Sequence, residues 1–447
     1  MSGLVKQPSE TGFQYLEVII AAAILLMLAH AFFTLITSAY QLLGLSRIQA
    51  SARSLANQEV ETIRNLPYDD VGTDGGIPSG TLAQVKQTTI NGQTYTITTT
   101  VVYMDDPFDG LAPADLLPTD YKRVKIRVDW AGTFPSSDSV ELITDISPQG
   151  METDVGGGTL SVLVFDADGQ PVPQAEVTVQ APSAVPPIDL VLLTDNDGIL
   201  LIPGAPACIS CYNISVTKTG FSTDRTYDAG EVTNPSKPPV TILEDEVSQI
   251  SFGVDELTSV SFTSVGAGPT YATVGNVDFH LTGTKTIGTD VSGDPVYKVD
   301  DDYTTDGSGS LSLDLEWDSY TMRLDNVNYA LAGSSPLTPI VATAGETADV
   351  TFVRGGFAGH SLLAQIKDAS GSAIASASAR LTRSLSGYDE TISSGQTGDP
   401  DEGASYFIDL PEGGSYNLEV THPDFLDSTT SVDVNGATET TVVMNGL

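Results

Sequence analysis

An apolar stretch, GFQYLEVIIAAAILLMLAHAFFTLITSAY, occupies residues 12–40 of a chain of 447 residues. The 23 residues from Val18 to Tyr40 contain no Asp, Glu, Lys or Arg, and neither glycine nor proline. At about 1.5 Å per residue, a helix of this length reaches roughly 35 Å, and a hydrocarbon core is about 30 Å thick. The sequence therefore predicts a membrane-spanning helix with one acid, Glu17, just before its uncharged run.

The helix is predicted to continue beyond the apolar stretch with a different character. Apolar side chains recur there at three- and four-residue steps, and polar side chains fill the other faces. The recurring positions are Ile48, Ala52, Leu55, Ala56, Val60 and Ile63. Leu66 precedes Pro67, and the residue before a proline disfavours helical geometry. One helix is therefore predicted from about Phe13 to Asn65, amphipathic in its second half.

Residues 12–70 resemble the N-terminal region of type IV prepilins and pseudopilins, which carry a class III signal. The resemblance rests on Gly12 directly before Phe13, on Glu17, on a short polar leader and on the long apolar helix. It implies that residues 1–12 are a leader, removed by a prepilin peptidase that cuts after Gly12 and methylates Phe13. Many family members carry a glycine and a proline within the apolar helix, and this chain departs from that pattern.

The resemblance also implies a location and a set of partners. The precursor would lie in the inner membrane, and the mature chain would then enter an extracellular filament or stay at the cell surface. The implied partners are copies of the chain and other pilins, which pack through the N-terminal helix, the prepilin peptidase and the inner-membrane assembly machinery. In such a bundle, the Glu17 carboxylate of one subunit could pair with the cationic α-amine of Phe13 in a neighbour, since a buried charge is tolerated when paired. The alternative is a carboxylate that snorkels to the cytoplasmic interface.

Residues 67–155 are predicted to form a pilin-like β head domain. The dipeptide Asn91-Gly92 separates two strand-like runs and is typical of a two-residue β-hairpin turn. In YKRVKIRVDW, residues 121–130, apolar side chains alternate with charged ones. We expect an antiparallel sheet packed on the outer half of the helix.

A repeat of about 100 residues follows the head domain. YNISVTKTGF begins at Tyr212, YTMRLDNVNY at Tyr320 and YNLEVTHPDF at Tyr416, and each copy ends in an aromatic residue nine positions on. Short alternating strands separated by glycine- and proline-containing turns are typical of β-sandwiches, and a period of this length indicates tandem domains. The predicted boundaries of the three sandwiches are 156–255, 256–355 and 356–447.

The first repeat opens with GTLSVLVFDADGQPVPQAEVTVQAP from Gly158. It resembles the carboxypeptidase-regulatory-like or Cna-B family of immunoglobulin-like domains. The predicted fold class is therefore α+β. A long N-terminal helix over residues 13–66 packs on an antiparallel pilin-like sheet, and tandem all-β immunoglobulin-like sandwiches follow.

The charge distribution argues against nucleic acid as a partner. The net charge is −39, and residues 1–64 hold equal numbers of acidic and basic side chains, so the whole excess lies on residues 65–447. Such a surface repels nucleic acid and anionic lipid headgroups. The same excess charge favours a well-solvated exterior.

Few residues are available for catalysis or metal binding. The four histidines are scattered, and the two cysteines, Cys208 and Cys211, fall short of the four ligands of a structural zinc site. The cysteines are predicted to form a disulfide, with two free thiols as the alternative. We expect no enzyme activity and no cofactor. Acidic turns, which Asp also favours for backbone reasons alone, supply weak calcium candidates at Asp166, Asp168, Asp195 and Asp197.

These features favour a structural subunit of a type IV pilus-like filament that displays β-sandwiches for surface attachment. One alternative is a minor pilin or pseudopilin of a secretion system. Another is a membrane-anchored surface binding protein that never polymerises. A glycan hydrolase acting through two carboxylates ranks last, because no pair of acids stands out among so many.

Overall fold

The computed structural model describes residues 11–104, 119–130, 139–148, 156–324 and 326–447, with side chains from residue 17 onward. The chain divides into two compact units, residues 1–156 with 202–204 and residues 157–201 with 205–447. The predicted leader lies outside the described residues except for its last two positions. Cleavage between Gly12 and Phe13 therefore stays a prediction.

The described residues of the first unit form one long helix and one sheet. Helix α1 spans Thr11–Arg64, close to the predicted limits, and a single 3-10 turn follows at Tyr68–Asp70. The strands are β1 (Val85–Ile90), β2 (Gln93–Met104), β3 (Tyr121–Trp130) and β4 (Ser139–Ile146). They are antiparallel in the order β1-β2-β3-β4. Asn91 and Gly92 turn the chain between β1 and β2 with φ of 51° and 80°, which confirms the predicted hairpin.

The outer half of α1 packs on this sheet. The helix residues buried there are those that the periodicity selects, Ala52, Ala56, Val60 and Ile63. They meet apolar side chains of the sheet, among them Tyr95, Ile97, Val101, Val124, Ile126, Val128 and Trp130. Polar contacts border this core: Glu59 accepts from Lys86 Nζ at 2.6 Å, and the Arg64 guanidinium donates to Thr144 Oγ1 at 2.9 Å. The sheet therefore holds the helix from about Ile48 to Arg64.

Residues 157–447 contain three β-sandwiches in succession. The first comprises β5 (Gly158–Phe165), β6 (Glu176–Ala181), β7 (Ile188–Leu193), β8 (Ile199–Ala205), β9 (Cys208–Thr217), β10 (Asp224–Arg225), β11 (Asn234–Pro235), β12 (Val240–Ile242) and β13 (Val247–Gly253). Its two sheets have the orders β13-β5-β8 and β10-β9-β6-β7, and β12 pairs with β9.

The second sandwich has ten strands. They are β14 (Thr258–Gly266), β15 (Asp278–Thr282), β16 (Thr286–Thr289), β17 (Pro295–Tyr297), β18 (Asp300–Thr304), β19 (Ser310–Leu315), β20 (Asp318–Arg323), β21 (Tyr329–Ser335), β22 (Ile340–Ala342) and β23 (Thr347–Gly356). Its two sheets have the orders β19-β14-β23-β21 and β18-β15-β20-β22. The hairpin β16–β17 instead pairs with β11 of the first sandwich.

The third sandwich has seven strands. They are β24 (Ser361–Asp368), β25 (Ser378–Arg383), β26 (Tyr388–Ser393), β27 (Ala404–Phe407), β28 (Gly414–His422), β29 (Phe425–Val434) and β30 (Ala437–Met444). Its two sheets have the orders β27-β24-β30 and β26-β25-β28-β29.

The three sandwiches share one strand topology. In each, the first strand pairs in parallel with the last: β5 with β13, β14 with β23 and β24 with β30. In each, the strand that carries the repeat tyrosine pairs antiparallel with the second strand, as β9 does with β6, β20 with β15 and β28 with β25. The helix, the antiparallel sheet and the tandem sandwiches together confirm the predicted α+β class.

The repeat tyrosines occupy equivalent buried positions. Tyr212, Tyr320 and Tyr416 are at most 1% exposed. The hydroxyl of each donates to a backbone carbonyl a few residues upstream, at distances of 2.7–2.9 Å, and the acceptors are Pro206, Glu316 and Glu412. Because a buried hydroxyl needs a partner, this hydrogen bond explains why tyrosine rather than phenylalanine recurs.

Backbone and side-chain contacts join successive sandwiches. Lys298 Nζ of the second sandwich donates to the Thr223 carbonyl of the first at 2.6 Å, beside the sheet that β11 forms with β16 and β17. The Tyr406 hydroxyl of the third donates to the Gly356 carbonyl of the second at 2.6 Å. Leu363 of the third sandwich is buried in the same apolar cluster as the core of the second. These contacts make the three sandwiches one continuous packed unit.

Candidate assembly surface

The inner half of α1 carries a continuous apolar surface. Fifteen large apolar side chains between Val18 and Leu43 have exposed fractions of 50–74%. The most apolar stretch of the helix has a mean hydropathy of 2.5, and none of it is buried. Soluble monomers rarely expose a patch of this extent, and patches of this kind mark contact with a membrane or with another protein. In length and composition this helix is suited to cross a membrane.

Hydroxyl groups within this surface are bonded to the helix itself. Thr34 Oγ1 donates to the Ala31 carbonyl at 2.9 Å, and Thr37 Oγ1 donates to the Phe33 carbonyl at 3.0 Å. Such bonds to the preceding turn satisfy the hydroxyls without any external partner. These threonines therefore do not prevent the helix from entering an apolar environment.

Glu17, directly before this surface, and His30, within it, differ from the threonines. Glu17 and His30 are both exposed, and within the described part of the chain neither has a hydrogen-bond or ion-pair partner. The predicted partner of Glu17, the α-amine of Phe13, involves atoms outside the described side chains, so that ion pair stays a prediction. His30 was not singled out by the sequence analysis as an assembly residue.

The two cysteines are joined. Cys208 and Cys211 form a disulfide with an S–S distance of 2.10 Å in β9, where Cys211 is buried and Cys208 is partly exposed. The bridge closes a short loop at the start of the strand that carries Tyr212. A cysteine in a disulfide offers no thiolate as a nucleophile or a metal ligand.

In each acidic turn, the carboxylate of the first aspartate accepts hydrogen bonds from backbone N–H groups of the same turn. Asp166 Oδ1 accepts the backbone N–H groups of Asp168 and Gln170 at 3.0 and 2.7 Å. Asp195 Oδ1 does the same for Asp197 and Ile199 at 2.9 and 2.8 Å. The same pattern recurs at Asp290, Asp306 and Asp368. Within the described residues, no group of three or more His, Cys, Asp or Glu side chains is placed to hold a metal ion.

One buried lysine in the first unit was missed by the sequence analysis. Lys122 of β3 is 2% exposed, and its ammonium donates to the Tyr68 carbonyl at 2.8 Å. It lies 4.4 Å from the centroid of the Tyr68 ring and 5.6 Å from that of Tyr103, beside a cavity of about 150 Å³. Burial lowers the pKa of Lys122 to about 8, against the attraction of Asp69 and Asp70. Burial likewise raises the pKa values of both tyrosines to about 12.

A second missed group lies on the second sandwich. His280 Nε2 is 2.8 Å from Asp300 Oδ1, and its Nδ1 is 2.7 Å from Asp302 Oδ1. Ionised carboxylates only accept hydrogen bonds, so this geometry suits an imidazolium that donates from both nitrogens. Burial and nearby Arg323 oppose the charged ring, but the hydrogen bonds to the two carboxylates outweigh them and raise the pKa of His280.

Comparisons with known proteins give distant structural resemblances only. No protein-family model and no curated protein matches the sequence. The Bacillus anthracis TIE protein matches at 13% identity and a TM-score of 0.20, over 82% of this chain and 74% of that one. A Streptococcal ancillary pilin matches at 12% identity and 0.18, over 65% and 99%. The shaft pilin SpaA of Lactobacillus rhamnosus GG matches at 13% and 0.19, over 44% and 97%. At such TM-scores the resemblance carries no argument about this chain.

Proposed function

We propose that the chain is a structural subunit of a type IV pilus-like filament, anchored in the inner membrane as a precursor and exposed at the cell surface after assembly. The proposal rests on one continuous helix, Thr11–Arg64, whose two halves have different surroundings. One face of its outer half is buried against the sheet of the first unit, and its inner half offers apolar side chains to lipid or to other helices. A helix that served only a soluble domain would bury its apolar face against its own sheet.

In this proposal the sandwiches are the displayed part of the subunit. Their contacts with one another support a continuous structure, and their acidic surface keeps neighbouring exteriors apart and solvated. The role is structural and adhesive rather than catalytic. The partners are other copies of the chain, other pilins, the prepilin peptidase and the assembly machinery.

Processing is the first test. The mass of the mature chain should correspond to a methylated N-terminus at Phe13, and Gly12→Val should block cleavage because a branched side chain crowds the scissile bond. Gly44→Val is the matched control, since a Cβ there meets nothing within 4 Å, and it should be processed normally. A mature chain that still begins at Met1 would contradict the proposal.

Assembly is the second test, read by electron microscopy of surface filaments. Glu17→Val should be processed and inserted normally, because valine is more apolar than glutamate. It should assemble poorly, since leaving one member of a buried ion pair without its partner costs roughly 3–5 kcal/mol, a factor of about a hundred or more per contact. Ile24→Val, within the same apolar run, should assemble normally. A native protein that stays in the membrane and forms no filaments would support a non-polymerising surface anchor instead.

A further inference from the structure

His30 is an ionisable group within the apolar half-helix, and the proposed function leaves it without a role. It stands inside the run of residues 18–40 that is otherwise free of ionisable groups except for the phenol of Tyr40. Ionisable side chains at membrane depth are costly and almost always pair with one another or line a polar path. The neighbouring threonines are bonded to their own backbone, whereas His30 has no partner within the described part of the chain.

The only acid near this stretch is Glu17, thirteen residues before His30. In an α-helix, thirteen residues correspond to an axial distance of about 20 Å and to faces about 140° apart. The two side chains of one helix therefore cannot reach each other. A parallel neighbouring helix displaced by about 20 Å along its axis, however, would bring its Glu17 level with His30.

We infer that the Glu17 carboxylate of one subunit binds the His30 imidazole of a neighbouring subunit; this inference rests on the proposed filament function. The partner that packs on this part of the helix surface is thus a second copy of the chain, because its acid complements the imidazole. Because a carboxylate has two oxygens, it can accept from an imidazole N–H and still pair with an α-amine.

The placement of the two groups on different faces determines the type of assembly. Each helix presents Glu17 to one neighbour and His30 to another, so the contact is heterologous and repeats without closing on a single pair. Mutual pairing of two subunits would need antiparallel helices, with their N-termini on opposite sides of the membrane. An open, staggered series of parallel helices is the arrangement that a filament requires.

Cross-linking in the full-length protein tests the stagger directly. Ala21→Cys and Thr34→Cys lie one turn beyond Glu17 and His30 and keep the same thirteen-residue spacing. Since the native cysteines are joined to each other, oxidation of filaments that carry both substitutions should give a ladder of multimers on a non-reducing gel. The control pair, Ala23→Cys with Ile36→Cys, has the same spacing but is rotated by about 200°, and it should give no ladder.

Substitution of His30 tests the chemistry. His30→Leu should be cleaved and inserted like the native chain but should lower filament yield by about tenfold or more, because a buried carboxylate loses a donor. His30→Gln, which retains a donor, should recover part of the yield. Filaments that carry Ala21→Cys and Thr34→Cys but give no ladder, together with native filament yield from His30→Leu, would overturn this inference and leave the filament function intact. A native protein that makes no filaments would overturn both.

Discussion

Lys122 carries a positive charge into the first unit, and Lys122→Met removes that charge while keeping a side chain of similar length. The ammonium has two favourable contacts, the hydrogen bond to the Tyr68 carbonyl at 2.8 Å and the faces of the Tyr68 and Tyr103 rings. These contacts are opposed by the desolvation cost of burying the charged ammonium. The stem of the side chain would pack similarly in both forms.

The size of these opposing effects can be estimated. A pKa of about 8 in place of 10.5 corresponds to an upper limit of roughly 3 kcal/mol. The adjoining cavity of about 150 Å³ has room for water, so we reduce this figure to roughly 1.5 kcal/mol. Because the pKa reflects the net effect of the site on the charge, the cation–π contacts are already included in this figure, and the substitution loses in addition only the hydrogen bond that a neutral amine would also make, about 1 kcal/mol. The two effects nearly cancel, so we expect Lys122→Met to unfold with a free energy within about 1 kcal/mol of the native value at pH 7.

The dependence on pH is the more decisive observable. The folded protein releases the Lys122 proton at a lower pH than the unfolded chain does. Between about pH 8 and 10.5 the unfolded state therefore binds more protons, and the stability of the native protein rises with pH. Tyr68 and Tyr103, with pKa values of about 12, act in the opposite sense above pH 10. Lys122→Met should lose the rise of roughly 1.5 kcal/mol below pH 10.

Urea unfolding of the full chain in detergent at pH 7.5, 8.5 and 9.5 measures this slope. In a Trp317→Phe background, fluorescence reports Trp130, which lies on the same strand as Lys122. Lys125→Met is the matched control, because Lys125 is more than a third exposed in its ion pair with Glu141. Parallel pH profiles for the native protein and Lys122→Met would refute the reasoning, as would an equal loss of slope in the control.

Three further predictions concern the sandwiches. His280→Gln should lower the free energy of unfolding by up to about 1 kcal/mol at pH 6, and by progressively less as the pH rises. The reason is that a raised pKa contributes stability that is fully present below the ordinary histidine pKa and is lost as the pH passes the pKa of the folded state. An equal loss at pH 6 and at pH 8.5 in urea unfolding would contradict this prediction. Tyr320→Phe should cost about 1 kcal/mol in the same assay, while the more exposed Tyr297→Phe should cost nothing measurable. Residues 157–447 expressed alone should fold, and a circular-dichroism spectrum dominated by helix or coil would contradict this.

The helix and the hairpin could be predicted because their signals are local. The uncharged run, the three- and four-residue periodicity up to Ile63 and the turn at Asn91-Gly92 each depend on neighbours in sequence. Lys122 was detectable in the same way, although it was not among the predicted site residues. Period-2 alternation places it on the same face as Val124, Ile126 and Trp130, which are all buried.

The pairings between distant residues could not be predicted from such signals. The parallel contact of β5 with β13 places Val247 beside Thr159, and nothing local to either strand specifies that neighbour. The same holds for His280, whose two carboxylate partners lie on a strand that begins twenty residues later. A run of three aspartates indicates only an acidic strand until the register of β15 and β18 is known.

The partition of charge between the helix and the exterior determines which contacts can direct assembly. The exterior carries the whole net charge of −39, and residues 1–64 balance to zero. Repulsion between exteriors is screened within about 8 Å at physiological ionic strength, whereas a pair inside a helix bundle is shielded far less. Removal of one acid from the exterior should therefore have little effect on association, because many equivalent charges remain in water. Glu17 and His30 are not surrounded by equivalent charges in water. For that reason, the register of the helices can depend on these two side chains.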